Sequence, residues 1–211
     1  AGQFKLGDDG DLIQNPTLYE LMSPWQPDQN ARYTSEDIHM AHEIAGRLLQ
    51  VAQNGYRRLN SAAVFFAQVT CGHSKSLQMA YLALFAALDS LFVPKGNKAK
   101  TLSRRATKLL SHFAFPGSLN DWLEKEYATG RNDLAHGVQD VVPWTRTRHS
   151  RVEAFGRLHE ITRLCILGFL SLGDLQLASH SASTGQQLQH FLDALDPAAG
   201  RFINGQRFWC G

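Results

Sequence analysis

The stretch Arg131-Asn132-Asp133-Leu134-Ala135-His136-Gly137 sets an arginine, a side-chain amide and a histidine close together directly after Gly130. An imidazole titrating near ~6.5 donates or accepts protons close to neutral pH. A guanidinium fork holds phosphate or carboxylate oxygens in pairs. Asn132 and His136 are i, i+4 neighbours on one helical face, whereas Arg131 lies about 140° from His136 and joins it only where the helix begins or bends. Spacing alone carries no weight: by composition, an Arg five places ahead of a His is expected about 0.6 times in a chain like this one. A histidine ahead of a glycine is also an ordinary helix-end residue.

Charge is the second chemical signal. The chain has 21 basic and 19 acidic residues, a net +2, but the balance is local. Residues 95 to 108 carry Lys95, Lys98, Lys100, Arg104, Arg105 and Lys108 with no acid, and residues 144 to 163 carry Arg146, Arg148, Arg151, Arg157 and Arg163 against Glu153 and Glu160. Two such stretches on neighbouring helices suit a polyanion; the plainer reading is that they solvate outward helix faces. His39, His42 and Glu43 have one-helix metal spacing, but no second ligand pair and no H-E-x-x-H order follows, so no metal is expected. His112, His149, His159, His180 and His190 form no constellation, and the chain holds no phosphate-binding glycine loop and no G-x-S-x-G elbow.

The elements that must position these residues are helical. Thr34 and Asp37 form a capping box ahead of Ile38, Ala41, Ala45, Leu48, Leu49 and Ala52, which share one face, and Asn54-Gly55 ends that helix. A second helix is predicted from about Leu59 to Thr70. The third, with Leu77, Tyr81, Leu84, Phe85, Leu88, Leu91 and Phe92, is apolar nearly all round and should be the buried centre, stopped by Pro94 and Gly96. Faces then follow at Leu102, Ala106, Leu109, Leu110 and Phe113, and at Leu119, Trp122, Leu123 and Tyr127, closed by Gly130. A long amphipathic helix is predicted after Pro143, with Val152, Phe155, Leu158, Thr162, Cys165, Phe169 and Leu172 on one side, and a short one from Gln187 to Leu195. Strand patterning is confined to Val138–Val142 and the Arg201–Trp209 tail.

The fold class is therefore all-α, an antiparallel bundle of four to six helices. Leu84, Leu88, Leu109, Trp122, Phe155 and Cys165 are expected in its core. Residues 1–33, broken by Pro16, Pro24 and Pro27, read as an irregular acidic lead-in, residues 34–173 as the bundle, and residues 174–211 as an extension with a short helix. Ser179 to Gly185 reads as a loop setting that extension apart. At 44% hydrophobic and 19% charged residues, the composition excludes a chain disordered throughout. No apolar run approaches the ~20 residues of a membrane span, Ala1 to Gly10 has no apolar leader core, and Cys71, Cys165 and Cys210 are scattered, so a cytoplasmic protein is expected.

Context gives the Arg131 motif its meaning. Leu84-Phe85-Ala86-Ala87-Leu88-Asp89-Ser90-Leu91-Phe92, then Leu102-Ser103-Arg104-Arg105-Ala106, then Leu123-Glu124-Lys125-Glu126-Tyr127 running into Arg131 to Gly137, resembles the HEPN superfamily, especially its Apea-like branch of anti-phage proteins. Arg57-Arg58-Leu59-Asn60-Ser61-Ala62 resembles the segment ahead of that family's central helix, so the likeness spans roughly residues 35 to 172. One departure is Asp89, where that branch more often has glutamate.

The resemblance implies a homodimeric, metal-independent endoribonuclease without a cofactor, of the kind serving anti-phage defence or toxin-like growth control and restrained by a regulatory domain or antitoxin. Its arginine, polar residue and histidine fall on Arg131, Asn132 and His136. RNA cleavage without a metal requires the 2′-hydroxyl to lose a proton and attack its phosphate, charge on the phosphoryl oxygens to be neutralised, and the 5′-oxygen to gain a proton. Two protons move and one chain has one motif histidine, so a symmetric dimer is chemically sensible. Asp89 on an apolar helix needs a partner and is expected near Arg131 or another cation, either supporting the site or serving as a plain ion pair. Lys98, Lys100, Arg104 and Arg105 are the expected RNA contacts. The alternatives are a catalytically silent module of the same fold that binds RNA, a nucleotide or a protein, and a helical interaction domain in which the motif is coincidence.

Overall fold

The computed structural model describes residues 4–6, 12–14, 34–70, 77–113, 115, 117–131 and 144–196. It is an all-α helical bundle. Eight α-helices are present among the described residues: α1 Ser35–Gln53, α2 Arg57–Thr70, α3 Leu77–Phe92, α4 Lys98–Leu109, α5 Leu119–Lys125, α6 Trp144–Leu170, α7 Asp174–Ala182 and α8 Gly185–Ala194. Ahead of them, β1 Phe4–Leu6 pairs antiparallel with β2 Leu12–Gln14, Lys5 opposite Ile13. That hairpin corrects the expectation of a wholly irregular lead-in; the Asp9-Gly10 turn signal lay between the two strands.

Local chemistry accounts for the helix ends. The Thr34 side chain accepts from the Asp37 amide at 3.1 Å while Asp37 accepts from the Thr34 amide at 2.8 Å, the reciprocal cap expected from sequence. Asn54 closes α1, and Gly55 follows with φ +67°, a left-handed conformation that a Cβ would strain. Helix α3 is the centre of the bundle, packed against α2 and α6, with Leu84, Phe85, Leu88, Leu91 and Phe92 fully buried. Each such side chain contributes ~1.5–3 kcal/mol on burial. Leu109, Phe155 and Cys165 are buried as expected, and burial pushes the Cys165 thiol well above its ordinary pKa. Trp122 is a correction: it is only half-buried, because its ring is the platform for the Arg157 guanidinium, 4.6 Å from the ring centre.

The loop expected at Ser179–Gly185 is also corrected. Helix α7 runs through Ala182 and α8 starts at Gly185, and Leu177, Leu188, Leu192 and Leu195 join the same core as α3. These helices are tied down by side chains that satisfy the open carbonyls of helix ends. At the end of α3, His180 Nε2 donates to the Leu91 carbonyl at 2.8 Å, Arg105 to Phe92 at 2.8 Å and Gln189 to Val93 at 3.2 Å. Arg58 donates to the carbonyls of His180, Ser181 and Ser183 at the end of α7. Arg47 holds the Leu170 and Leu172 carbonyls after α6 and the Asp174 carboxylate that opens α7. Val93 has φ +39°, costly for a β-branched residue by about 1–3 kcal/mol. It is held there by its carbonyl bond and by Pro94, which disfavours continued helix at the residue before it.

Candidate active site

Asp89 and Arg131 meet. Arg131 Nη2 donates to Asp89 Oδ2 at 3.2 Å, and Tyr127 donates its phenol proton to Asp89 Oδ1 at 2.8 Å, so each carboxylate oxygen has its own donor. The Arg131 guanidinium also lies 4.8 Å from the centre of the Tyr127 ring. Tyr127 packs edge-on against the buried Phe85, 5.3 Å between centres, and Phe85 against Tyr81 at 5.4 Å, which fixes the phenol and through it the arginine. Tyr81 in turn donates to the Glu126 carboxylate.

The backbone makes this meeting possible. Past Lys125 the chain does not stop at Gly130, as the glycine suggested. It widens into a π-helical segment, Glu126–Arg131, with Gly130 buried inside it. A π turn shifts the residues after it relative to an α register and recurs at functional sites. Here it carries Tyr127 and Arg131 to the same carboxylate across the bundle.

Electrostatics at the pair are balanced unevenly. Burial raises the Asp89 pKa above the ordinary carboxylate range, against the Tyr127 hydrogen bond and the charges of Arg131 and Lys98, which pull it down. Tyr127 moves upward for the same reason, burial first and the neighbouring carboxylate second. The charge of Lys98, at the exposed start of α4, thus reaches Asp89. Asn132 and His136 lie outside the described residues.

The expected RNA contacts divide. Lys98 and Lys100 are exposed, and Arg104 is exposed but bonded to Asp193 at 2.7 Å. Arg105 is a correction. Its side chain is 3% exposed, with Nε on Asp193 at 2.9 Å, Nη1 on the Phe92 carbonyl and Nη2 on the Gln189 side chain at 2.9 Å, so it has no face for a polyanion. The sequence held a signal for this: Leu102, Arg105, Ala106 and Leu109 share one helical face, the apolar one. In the second basic stretch Arg163 forms a paired bond with Glu160 and Arg157 stacks on Trp122; the side chains of Arg146, Arg148 and Arg151 lie outside the described residues.

Sequence reasoning missed Tyr127 as a polar partner, reading it only as an apolar face residue, though Tyr127 and Arg131 are i, i+4. His180 and His159 are buried and held neutral, each pushed by burial down to about 4. His39 Nε2 reaches Glu43 at 3.7 Å, and among the described residues no group of three or more His, Cys, Asp or Glu side chains converges. No single helix among the described residues is long and apolar enough to cross a membrane. No family model, curated protein or solved structure matches the chain.

Proposed function

We propose that this chain is a metal-independent endoribonuclease of HEPN type acting as a homodimer, with Arg131, Asn132 and His136 at the reacting phosphate and Asp89 behind Arg131. One observation supports it above the others: among the described residues the motif arginine makes one hydrogen bond, Nη2 to Asp89, and rests on the Tyr127 ring, so most of its five N–H donors are not spent on those residues. His136 takes the 2′-hydroxyl proton or returns one to the leaving 5′-oxygen, and the second copy's motif supplies the other transfer. Arg131 neutralises the charge building on the phosphoryl oxygens. Lys98, whose charge reaches Asp89, and the exposed Lys100 on the same helix hold flanking phosphates. The biological role consistent with the resemblance is anti-phage defence or toxin-like growth control.

Purified protein is expected to cut single-stranded or loop RNA in EDTA, leaving a 2′,3′-cyclic phosphate, and to leave DNA intact because it lacks the attacking hydroxyl. His136→Ala should cost ~10²- to 10⁴-fold in rate and Arg131→Ala ~10²- to 10³-fold, with the fold and dimer retained by circular dichroism and light scattering. Binding without cleavage across varied RNAs would reject the nuclease in favour of the catalytically silent module, and a monomer that still cleaves would reject the dimer argument.

A further inference from the structure

A cleft of about 320 Å³ opens between the start of α2 and the end of α3, lined by Arg57, Arg58, Ser61, Ser90 and Val93. Two arginines and two serines line one small space, and among the described residues no carboxylate lines it. Neither arginine has an acidic partner among the described residues. Arg58 is held rigidly by the carbonyls of His180, Ser181 and Ser183, which use three of its five N–H donors and leave two. Arg57 is exposed, and its guanidinium makes no hydrogen bond among the described residues. Burial lowers the Arg58 pKa first, and the like charge of Arg57 beside it second.

The hydroxyls differ in what they offer. Ser61 shares the face of Arg57 and Arg58, at i+4 and i+3, and has its proton free among the described residues. Ser90 spends its proton on the Ala86 carbonyl at 2.8 Å, so it offers acceptor lone pairs only. An anion satisfies the arginines and Ser61, while a ligand hydroxyl satisfies Ser90. Among the described residues Val93 is the single apolar wall, and no aromatic ring lines the cleft on which a base would stack. The volume is at the small end of ligand pockets.

We infer that this cleft binds a sugar phosphate unit, with the phosphate on Arg57, Arg58 and Ser61 and a sugar hydroxyl on Ser90. The unit is free, as in a pentose phosphate or nucleoside monophosphate, or part of a ribonucleotide strand. The inference is independent of whether Arg131 and His136 cleave anything.

Calorimetry on the full chain with inorganic phosphate, ribose, ribose 5-phosphate, adenosine monophosphate and a short oligoribonucleotide tests it. Ribose 5-phosphate should bind saturably and more tightly than inorganic phosphate, and ribose should not bind. Arg57→Glu, at an exposed position that leaves the melting temperature in place, should weaken ribose 5-phosphate ~10- to 100-fold, because a charge-assisted bond is replaced by repulsion. Ser61→Ala should weaken it a few-fold, and Lys125→Ala, an exposed lysine on α5, should leave it unchanged. Arg131→Ala should keep the affinity intact, which separates this site from the proposed nuclease centre. Adenosine monophosphate binding with the same Arg57 dependence but no such dependence for the oligoribonucleotide identifies a free ligand, and equal dependence identifies the strand. No saturable binding of ribose 5-phosphate at millimolar concentration, affinity unaffected by Arg57→Glu, or phosphate binding as tightly as the sugar phosphate would each overturn the inference.

Discussion

Arg105 with Asp193 and Arg131 with Asp89 are the same chemical pair in two parts of the molecule, and they differ in what surrounds the guanidinium. Arg105 is 3% exposed and bonded through Nε, Nη1 and Nη2, while its carboxylate partner is 41% exposed. Arg131 and Asp89 are both half-buried, at 31% and 27%, and among the described residues a single Arg131 nitrogen is engaged. The aspartates respond in opposite directions: the hydrogen bond from Arg105 pulls Asp193 below the ordinary carboxylate range, whereas burial lifts Asp89 above it. An arginine–aspartate pair is thus no sign of chemistry by itself. The donors left over decide whether it is a fastening or a site.

Replacing each arginine in turn would break the comparison most directly. Arg105→Met orphans the buried Phe92 carbonyl but leaves Asp193 in water, so about 2–3 kcal/mol is expected, with a melting temperature lower by roughly 5–10 °C in a chain of this size. Arg131→Met removes a half-exposed ion pair and a cation–π contact and should cost about 1 kcal/mol or less in stability, while, on the proposed function, slowing cleavage ~10²- to 10³-fold. Equal losses of stability in a denaturant series would show that both arginines are fastenings.

The histidine that fastens α7 to α3 gives the next effect. His180 and His159 titrate near 6.5 unfolded and about 4 folded. Between those values the unfolded chain binds the protons and the folded one does not, so stability is full above pH 6.5 and falls as pH drops towards 4. The loss is on the order of 3 kcal/mol for each histidine. His180→Gln keeps a donor for the Leu91 carbonyl and cannot titrate, so the stability difference between pH 7 and pH 4.5 should shrink. An unchanged slope would show that His180 is not the proton-linked group.

Two smaller effects sharpen the Arg131 side. Tyr127→Phe removes the hydrogen bond that holds the Asp89 pKa down, so the Asp89 carboxyl should titrate higher still by NMR, at a stability cost of about 1 kcal/mol. A downward shift would contradict the arrangement of donors at Asp89. Lys98→Ala should weaken RNA binding mildly and reduce the slope of log affinity against log salt by about 1; an unchanged slope would take Lys98 off the RNA path.

Local chemistry alone determined much of this chain. The Thr34–Asp37 box, the Asn54-Gly55 stop, the Pro94 stop and the apolar run of α3 each depend on residues within one turn of one another, so the sequence carries them in full. The need for a cation near Asp89 was legible too, because a carboxylate on an apolar helix has few stable alternatives. Helix α7 was not legible. Its face is weakly apolar, with Leu175 exposed and Leu177 buried, and the donors at its ends, Arg47 and Arg58, come from residues more than a hundred positions away. The same holds for which arginine is spent. Arg104 and Arg105 are adjacent in the chain, but the Phe92 carbonyl and Gln189 converge on only one of them. A guanidinium's free donors are what remains after long-range partners are subtracted, and only the packed bundle brings those partners within reach.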